Sequence, residues 1–157
     1  MDHQTPLSNA DLVRIVQAYY NAVDALDPDR LASTYSAGPF TTLQFNADEP
    51  IIGTAAIREF TARFCQVVSS IKHTMIDIWT TPIMGNVVPV DLPPGRSAST
   101  TTVVSTALPI FAIGEGPAAM RLALPAASIF TIDIASEKFV SIHNMFDIGR
   151  IYAAVKG

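Results

Sequence analysis

The feature that most constrains the fold is a change in the spacing of apolar residues near residue 70. Before that point the apolar residues recur at helical spacing, whereas beyond it long segments are apolar at alternate positions or at all positions. Helices that precede a series of strands predict an α+β protein, in which the helices pack on one face of a curved sheet. The chain has 157 residues, so we expect one domain with one core.

Three helices are predicted in the first 70 residues. Ser8 is predicted to cap the first helix, and Asp27 to cap the second, with Pro28 at its first position. Thr54 is predicted to cap the third. Their buried faces are marked by apolar residues at helical spacing, which are Leu12, Ile15, Val16, Tyr19 and Val23, then Leu31 and Tyr35, then Ile57, Phe60, Phe64 and Val67 or Val68.

Five strands are predicted, at 40–46, 73–80, 100–113, 120–134 and 139–148. The connections between the last three are short and contain glycine or polar residues, which favours antiparallel hairpins. The strands 100–113 and 120–134 are apolar on both faces, and such strands are buried on both faces. We therefore expect a mostly antiparallel sheet, covered by helices on one side and by the second subunit of a homodimer on the other.

The segment 82–97 is rich in proline and glycine and interrupts the series of strands. Its apolar residues have no helical spacing, and we expect few of them to anchor it to the core. Three interpretations remain open, which are a passive insertion, a loop that gates the pocket, and a short edge strand formed by Val87, Val88 and Val90.

The composition excludes several classes of protein. Hydrophobic residues make up 49% of the chain and charged residues only 15%, so much of the chain must be buried or must line a cavity. No apolar run is long enough for a membrane span, and no apolar N-terminal segment indicates secretion, so we expect a cytoplasmic protein. The formal charge is −4 and the basic residues are scattered, which disfavours nucleic acid as a partner. A single cysteine, dispersed histidines and no phosphate-binding loop predict no metal and no cofactor.

Four segments resemble proteins of the nuclear transport factor 2-like superfamily, in particular its SnoaL-like members. They are YYNAVDALDPDRL at 19–31, IIGTAAIREF at 51–60, IKHTMIDIW at 71–79 and FVSIHNMFDIG at 139–149. The resemblance implies three N-terminal helices packed on a curved sheet that forms a cone around an apolar pocket. This fold hosts cyclases, isomerases, dehydratases, epoxide hydrolases and proteins that only bind.

Two groups of relatives imply where a site would lie. The chain is similar to scytalone dehydratases around Asp24 and His73, which fall on their catalytic aspartate and histidine. Val23 replaces a tyrosine of that group, and no second histidine occurs near 126–127. The last strand is similar to limonene epoxide hydrolases, whose catalytic aspartate falls on Asn144, but their Arg-x-Asp pair has no counterpart. The resemblance therefore implies a site at these positions without implying either reaction.

Asp24, His73 and Asn144 are the candidate catalytic residues. Histidine exchanges protons near neutral pH, so His73 beside Asp24 would be a base oriented by a carboxylate, or an acid next to a base. The amide of Asn144 would hold an oxygen that gains negative charge, and its neighbour His143 would then face outward. Each residue also has a structural interpretation, as a helix-end carboxylate, a backbone-bonded histidine or a buried amide. Strict alternation places Trp79 on the same face as His73.

Aromatic side chains are expected to line the pocket and to contact a small hydrophobic substrate. The predicted substrate-binding residues are Tyr20, Tyr35, Phe45, Phe60, Phe64, Trp79, Phe130 and Phe146. The function predicted first is a cofactor-free isomerase, cyclase or dehydratase that acts by acid–base chemistry on a carbonyl-bearing polyketide or terpenoid-type intermediate. The alternatives are a non-catalytic binding or accessory dimer with the same pocket, and a dimer whose cone is filled by side chains.

Overall fold

The computed structural model describes residues 7–80 and 100–156, so the predicted excursion at 82–97 lies outside the described residues. Within this part the helices are α1 (Asn9–Asp24), α2 (Pro28–Thr34), α3 (Thr54–Val67) and α4 (Ile148–Lys156). The strands are β1 (Thr42–Phe45), β2 (Ile51–Ile52), β3 (Ser70–Trp79), β4 (Thr100–Ile113), β5 (Met120–Ala123), β6 (Ala126–Asp133) and β7 (Lys138–Met145). A short 3₁₀ turn, Gly116–Ala118, lies between β4 and β5.

The first two helices begin where the sequence predicts. Ser8 and Asp11 form a reciprocal capping box at the start of α1, with the Ser8 side chain accepting from the Asp11 backbone N–H. The carboxylate of Asp27 accepts the backbone N–H of Arg30 at 2.9 Å and caps α2. Both caps satisfy donors that a helix leaves unpaired in its first turn.

The predicted cap of the third helix is wrong. Gly53 occupies the N-cap position of α3 with φ 91°, a conformation that glycine adopts without strain, and no side chain caps the helix. Thr54 is the first helical residue, and its hydroxyl donates instead to the backbone carbonyl of Ser36 at 2.9 Å. This hydrogen bond ties the start of α3 to the loop after α2.

The sheet is mixed and open, with the strand order β2-β1-β7-β6-β4-β3. Only the pairing of β1 with β7 is parallel among the described strands. The segment predicted as one strand, 120–134, is two strands separated by Leu124 and Pro125. Both pair with the 14-residue strand β4, β5 with its end and β6 with its first part. Proline lacks an N–H for the ladder, which accounts for the break.

A β-bulge in β3 reverses which residues face the core. Thr74 lies opposite Leu108, but Asp77 lies opposite Thr106, so β3 holds one residue more than β4 between these pairs. Met75 lies within the bulge at φ 51° and is exposed. Because an extra residue shifts the alternation by one, the side chains beyond the bulge that pack inward are those of Ile76 and Ile78.

The end of the chain differs from the prediction of a strand over 139–148. Strand β7 ends at Met145, and the Asp147 carboxylate then accepts the backbone N–H of Arg150 at the start of α4. Ile148 and Ile151, three residues apart, are buried in the core, and this is helical spacing. The prediction of a continuous strand was therefore wrong, because the cap and the helical spacing begin a helix, which packs against β4.

The helices cover the inner face of the sheet and enclose two clusters of buried side chains. Val23, Phe45 and Phe60 pack against both clusters and so join them. The α+β architecture and the curved sheet agree with the predicted fold class. No helix among the described residues has the length and hydropathy that crossing a bilayer requires.

Candidate active site

A cavity opens between the helices and the inner face of the sheet, and His73 and Asn144 line it. The space between the lining atoms measures about 720 Å³ when the open mouth is included. Within it, the region in which the centre of a water molecule fits without touching the walls measures about 70 Å³. The interior is therefore narrow. The lining residues come from α1, the turn before α2, α2 itself, α3 and five strands, and most of them are apolar or aromatic.

His73 and Asp24 are in direct contact. The Nδ1 atom of His73 lies 2.5 Å from Oδ1 of Asp24, and the backbone N–H of His73 also donates to this carboxylate, at 3.0 and 3.2 Å from its two oxygens. The two side chains are 8% and 18% exposed, so water screens their interaction only weakly. An ionised carboxylate can only accept, so Nδ1 is the donor in this contact and Nε2 is the ring nitrogen that remains for a substrate.

The local fold explains this contact. Asp24 is the last residue of α1, and His73 lies on β3, which is an edge strand of the described sheet. Pro109 lies opposite His73 on β4, and the His73 N–H is donated to Asp24. Asp24 does not line the cavity, whereas His73 does, so the carboxylate lies behind the imidazole ring. Lys72 approaches the same carboxylate at 3.9 Å with an exposed side chain.

Asn144 faces the cavity, as the sequence predicts, and belongs to a row of polar side chains across three strands. Ser105, Ser128 and Asn144 lie directly opposite one another on β4, β6 and β7, and we call these three residues the polar row. All three are buried. The Ser128 hydroxyl donates to Oδ1 of Asn144 at 2.7 Å, and Nδ2 of Asn144 donates to the Tyr19 hydroxyl at 3.2 Å.

Two tyrosines of α1 cover the polar row. The Tyr20 hydroxyl is hydrogen-bonded to Ser105, and its ring lies 4.6 Å from the ring of His73, measured between centroids. Burial raises the pKa of Tyr19 well above its ordinary value, and burial also raises the pKa of Tyr20 although its hydrogen bond to Ser105 opposes that shift. Both phenols are therefore neutral hydrogen-bonding groups at physiological pH and do not act as bases.

Phenylalanine rings surround another part of the cavity. Each of five rings contacts the next, at centroid distances of 5.3 to 6.4 Å, and the last contacts the first, so the circuit is closed. We call this set the phenylalanine collar. Its members, in order around the circuit, are Phe45, Phe60, Phe64, Phe111 and Phe146. All five line the cavity.

Five of the eight aromatic residues predicted to contact substrate line the cavity, namely Tyr20, Phe45, Phe60, Phe64 and Phe146. The prediction is wrong for Trp79, Tyr35 and Phe130. Trp79 is 50% exposed because the bulge turns it to the outer face. Phe130 is fully buried beneath Tyr19 and Tyr20, and Tyr35 packs on Phe139 away from the cavity.

Several lining residues were not predicted. Ser128 is one of them, and Ser105, its neighbour on β4, lies behind the lining with its hydroxyl bonded to Tyr20. Both serines stand at positions where the other inward residues of the same strand are apolar, and this irregularity is the signal that would have identified them. Phe111 completes the collar, and Asp27 and Cys65 also line the cavity. Burial raises the pKa of the Cys65 thiol, and the nearby Asp27 carboxylate adds to the effect, so this thiol is not activated.

Tyr35 provides a test of the packing behind the site. Its buried hydroxyl has no hydrogen-bond partner among the described residues, and burial raises its pKa well above the ordinary value. Tyr35→Phe removes this unsatisfied group and should stabilise the protein by about 1 kcal/mol. Unfolded tyrosines ionise above about pH 10, so the free energy of unfolding should fall above that pH, and less steeply in the variant. Urea unfolding at pH 7 and pH 11 measures both effects.

The matched control for this prediction is Tyr19→Phe, which removes a hydroxyl that does accept a hydrogen bond, from Asn144. That variant should be less stable than the original protein at pH 7, because the Asn144 amide loses a partner. Equal effects of the two substitutions would contradict the assignment of Tyr35 as the unsatisfied hydroxyl.

The described residues contain no group of three or more histidine, cysteine, aspartate or glutamate side chains arranged to hold a metal ion. The chemistry available from them is acid–base chemistry at His73, hydrogen bonding at the polar row and apolar contact at the collar.

Comparison with known proteins gives a consistent picture of the fold. Residues 13–101 match the family model of the nuclear transport factor 2 domain. No curated protein matches the chain in sequence. A protein from Shewanella denitrificans described as a SnoaL-like polyketide cyclase superimposes with a TM-score of 0.68 and 14% identity, over 95% of this chain and 98% of that one.

Two further solved structures have the same fold. One is described as a dehydratase of the nuclear transport factor 2-like family from Streptomyces avermitilis, with TM-score 0.57 and 16% identity over 87% of this chain and 94% of that chain. The other, from Catenulispora acidiphila, is described as having a ketosteroid isomerase-like fold and was solved with trimethylamine. Its TM-score is 0.60 at 17% identity, over 88% and 89% of the two chains. At such identities the similarity concerns the fold alone.

Proposed function

The chain belongs to the nuclear transport factor 2 domain family, and on that premise we propose that its cavity is the active site of a cofactor-free acid–base enzyme. The substrate is a small, carbonyl-bearing organic compound of the polyketide or terpenoid type. The reaction is an isomerisation, cyclisation or dehydration in which a proton is removed from carbon next to the carbonyl group or returned to the product.

The observation that carries the proposal is the 2.5 Å contact between Nδ1 of His73 and Asp24 at the wall of an apolar cavity. A carboxylate that accepts the Nδ1 hydrogen fixes both the orientation and the tautomer of the ring, and leaves Nε2 as the working base. His73 therefore takes and returns the proton, while Asp24 acts through His73 as a positioning residue.

The polar row supports the same function because it supplies hydrogen-bond donors where a carbonyl oxygen would gain charge. One N–H of the Asn144 amide donates to Tyr19, and within the described part of the chain the other has no protein acceptor. Tyr20 joins the two parts of the site, since its ring packs on His73 and its hydroxyl contacts Ser105. The Ser105 end of the polar row thus lies about one ring away from the base, and donors in that row would stabilise the oxygen of an enolate.

The experiment that tests the proposal needs no knowledge of the natural substrate. The α-hydrogens of 2-tetralone, a bicyclic ketone, exchange with deuterium from heavy water when a base removes them, and proton NMR follows the loss of their signal. We expect the protein to accelerate this exchange well beyond an equal concentration of free imidazole. Saturable binding of the ketone without acceleration would instead favour a non-catalytic binding protein.

The outer face of the sheet carries the second part of the proposal, a homodimer. Val104, Ile129 and His143 lie opposite one another on β4, β6 and β7, on the face turned away from the cavity, and all three are half-buried. His143 faces outward as predicted, where its Nε2 atom lies 2.6 Å from the carbonyl oxygen of Asn46. The apolar side chains of Val104 and Ile129 on this face gain stability when a second copy covers them.

Sedimentation equilibrium at micromolar concentration should therefore give a species of twice the chain mass of 16.8 kDa. Ile129→Lys should convert it to the monomer, because a lysine in the centre of an apolar interface leaves its charge unpaired. Met120→Lys, on exposed residue 120 outside this face, is the matched control and should remain dimeric. A monomer for the unmodified chain would contradict the proposed assembly.

A further inference from the structure

We infer that the cavity is built for an uncharged aromatic compound of one or two rings that carries one acceptor oxygen, with its ring against the phenylalanine collar and its oxygen at the polar row. The inference rests on the proposed function for the placement of the oxygen. It adds the chemical class, the charge and the size of the ligand.

The collar is the first line of support. Five phenyl rings in a closed circuit offer only carbon and hydrogen to a ligand, and neighbouring rings alternate between stacked, tilted and edge-to-face arrangements. Such a surface presents both ring faces and ring edges toward the cavity. Another aromatic ring gains favourable face and edge contacts with it beyond simple burial of area, whereas a saturated ring gains burial alone.

The charge of the lining is the second line of support. Among the described lining residues there is no lysine or arginine, and the carboxylate that does line the cavity belongs to Asp27, which is exposed and so marks the mouth. A carboxylate on the ligand would lose its hydration in a narrow apolar interior without gaining a cationic partner. The lining therefore disfavours anions and accepts neutral compounds.

The dimensions set the size of the ligand. The space that water centres can occupy, about 70 Å³, is on the order of five to seven water positions. This is enough to enclose one ring in the interior and leave a second ring toward the mouth. Compounds with four fused rings are too large for the interior as it stands.

The order of residues along β4 sets the direction of binding. Ser105, Pro109 and Phe111 face the same side of this strand, and Pro109 is opposite His73 on β3. The base therefore lies between the polar row, at Ser105, and the collar, at Phe111. On β1 and β7 the two groups adjoin, because Phe45 of the collar lies directly opposite Asn144, so a ring held in the collar can place its oxygen beside this amide.

The test compares 2-tetralone with 2-decalone by isothermal titration calorimetry. The two ketones share one carbon skeleton and one oxygen and differ only in the aromatic ring, and the saturated compound is the more hydrophobic. Simple apolar burial would favour 2-decalone, whereas the collar should make 2-tetralone bind about three- to tenfold more tightly. Phe64→Leu opens the circuit and should bring the ratio of the two affinities close to one.

Phe40→Leu is the matched control, because Phe40 is 58% exposed and does not line the cavity. It should leave the ratio unchanged, and using a ratio removes any effect of partial unfolding in either variant.

Two further ligands test charge and size. 2-Naphthoate should bind at least tenfold more weakly than 2-naphthol, and benzanthrone, a ketone of four fused rings, should bind more weakly than 2-tetralone.

Equal or weaker binding of 2-tetralone relative to 2-decalone, binding of neither, or a ratio that survives Phe64→Leu would overturn the inferred aromatic class. Tighter binding of 2-naphthoate or of benzanthrone would overturn the inferred charge or size. These results are separate from the proton-exchange assay. If the protein prefers the aromatic ketone but does not accelerate exchange, the proposed catalysis is wrong and the inferred ligand class stands. If it accelerates exchange but shows no aromatic preference, the inferred ligand class is wrong and the proposed catalysis stands.

Discussion

Replacing His73 by phenylalanine should slow α-proton exchange of 2-tetralone about 10²–10⁴-fold, because the variant keeps a ring at the cavity wall but has no base. Binding of the ketone should change far less, since most of the contact surface is the apolar lining. The measurements are proton NMR for the exchange rate and calorimetry for affinity. An exchange rate that is the same in His73→Phe and in the original protein would exclude His73 as the base.

Asp24→Asn tests the positioning role in the same assay. An asparagine keeps an oxygen for the backbone N–H of His73, which preserves the junction of α1 with β3, but it removes the negative charge next to Nδ1. The maximal rate should fall with little change in the Michaelis constant, and the pH at which the rate is half-maximal should shift. A carboxylate that was only structural would alter stability and leave the pH profile in place.

Lys72→Ala is the matched control for Asp24→Asn, because it also removes a charge close to the Asp24 carboxylate. Its ammonium group is 3.9 Å from Asp24 and its side chain is 74% exposed. Exposed pairs contribute little, so this variant should keep the rate and the pH profile. A large effect of Lys72→Ala would mean that the charge balance around Asp24, and not its contact with His73, sets the activity.

Replacing Asn144 by leucine should slow the exchange about 10²–10³-fold, because it removes a donor to the oxygen that gains charge. Leucine has a similar volume, so the cavity keeps its shape. The variant should also lose about 1–3 kcal/mol of stability, since Ser128 and Tyr19 each lose a buried partner. Urea unfolding measures this cost separately from the rate.

Ser128→Ala separates catalysis from structure at the polar row. It removes the hydroxyl that donates to Oδ1 of Asn144 and leaves the amide N–H groups in place. The rate should therefore fall much less than in Asn144→Leu, although stability falls by a comparable amount. If the two variants lose rate equally, Asn144 acts as a packing group and not as a donor to the substrate.

The catalytic candidates could be predicted from the sequence because each follows from a short segment. Resemblance to known relatives indicated Asp24 and His73, and alternation along the last strand allowed only one of His143 and Asn144 to face inward. The contact between His73 and Asp24 and the inward position of Asn144 agree with these expectations. Their roles in a reaction remain predictions.

The wrong position predicted for Trp79 has a different cause. Alternation along β3 fails at Met75, where a single extra residue moves Trp79 to the outer face. A bulge of this kind is a property of the pairing between β3 and β4, and the local pattern of apolar residues does not reveal it. Likewise, the length of an apolar run at the end of the chain did not distinguish β7 from the helix that follows it.

The sequence by itself determined the helix starts at Ser8 and Asp27, the change from helices to strands and the apolar character of the interior, because capping and periodicity act over a few residues. Only the tertiary structure decided the closed circuit of phenylalanines, the polar row and the position of His73 between them. These features join side chains as far apart along the chain as Tyr20 and Ser105. Their proximity depends on strand register and on how helices cross the sheet, which are set by the packing of the whole core.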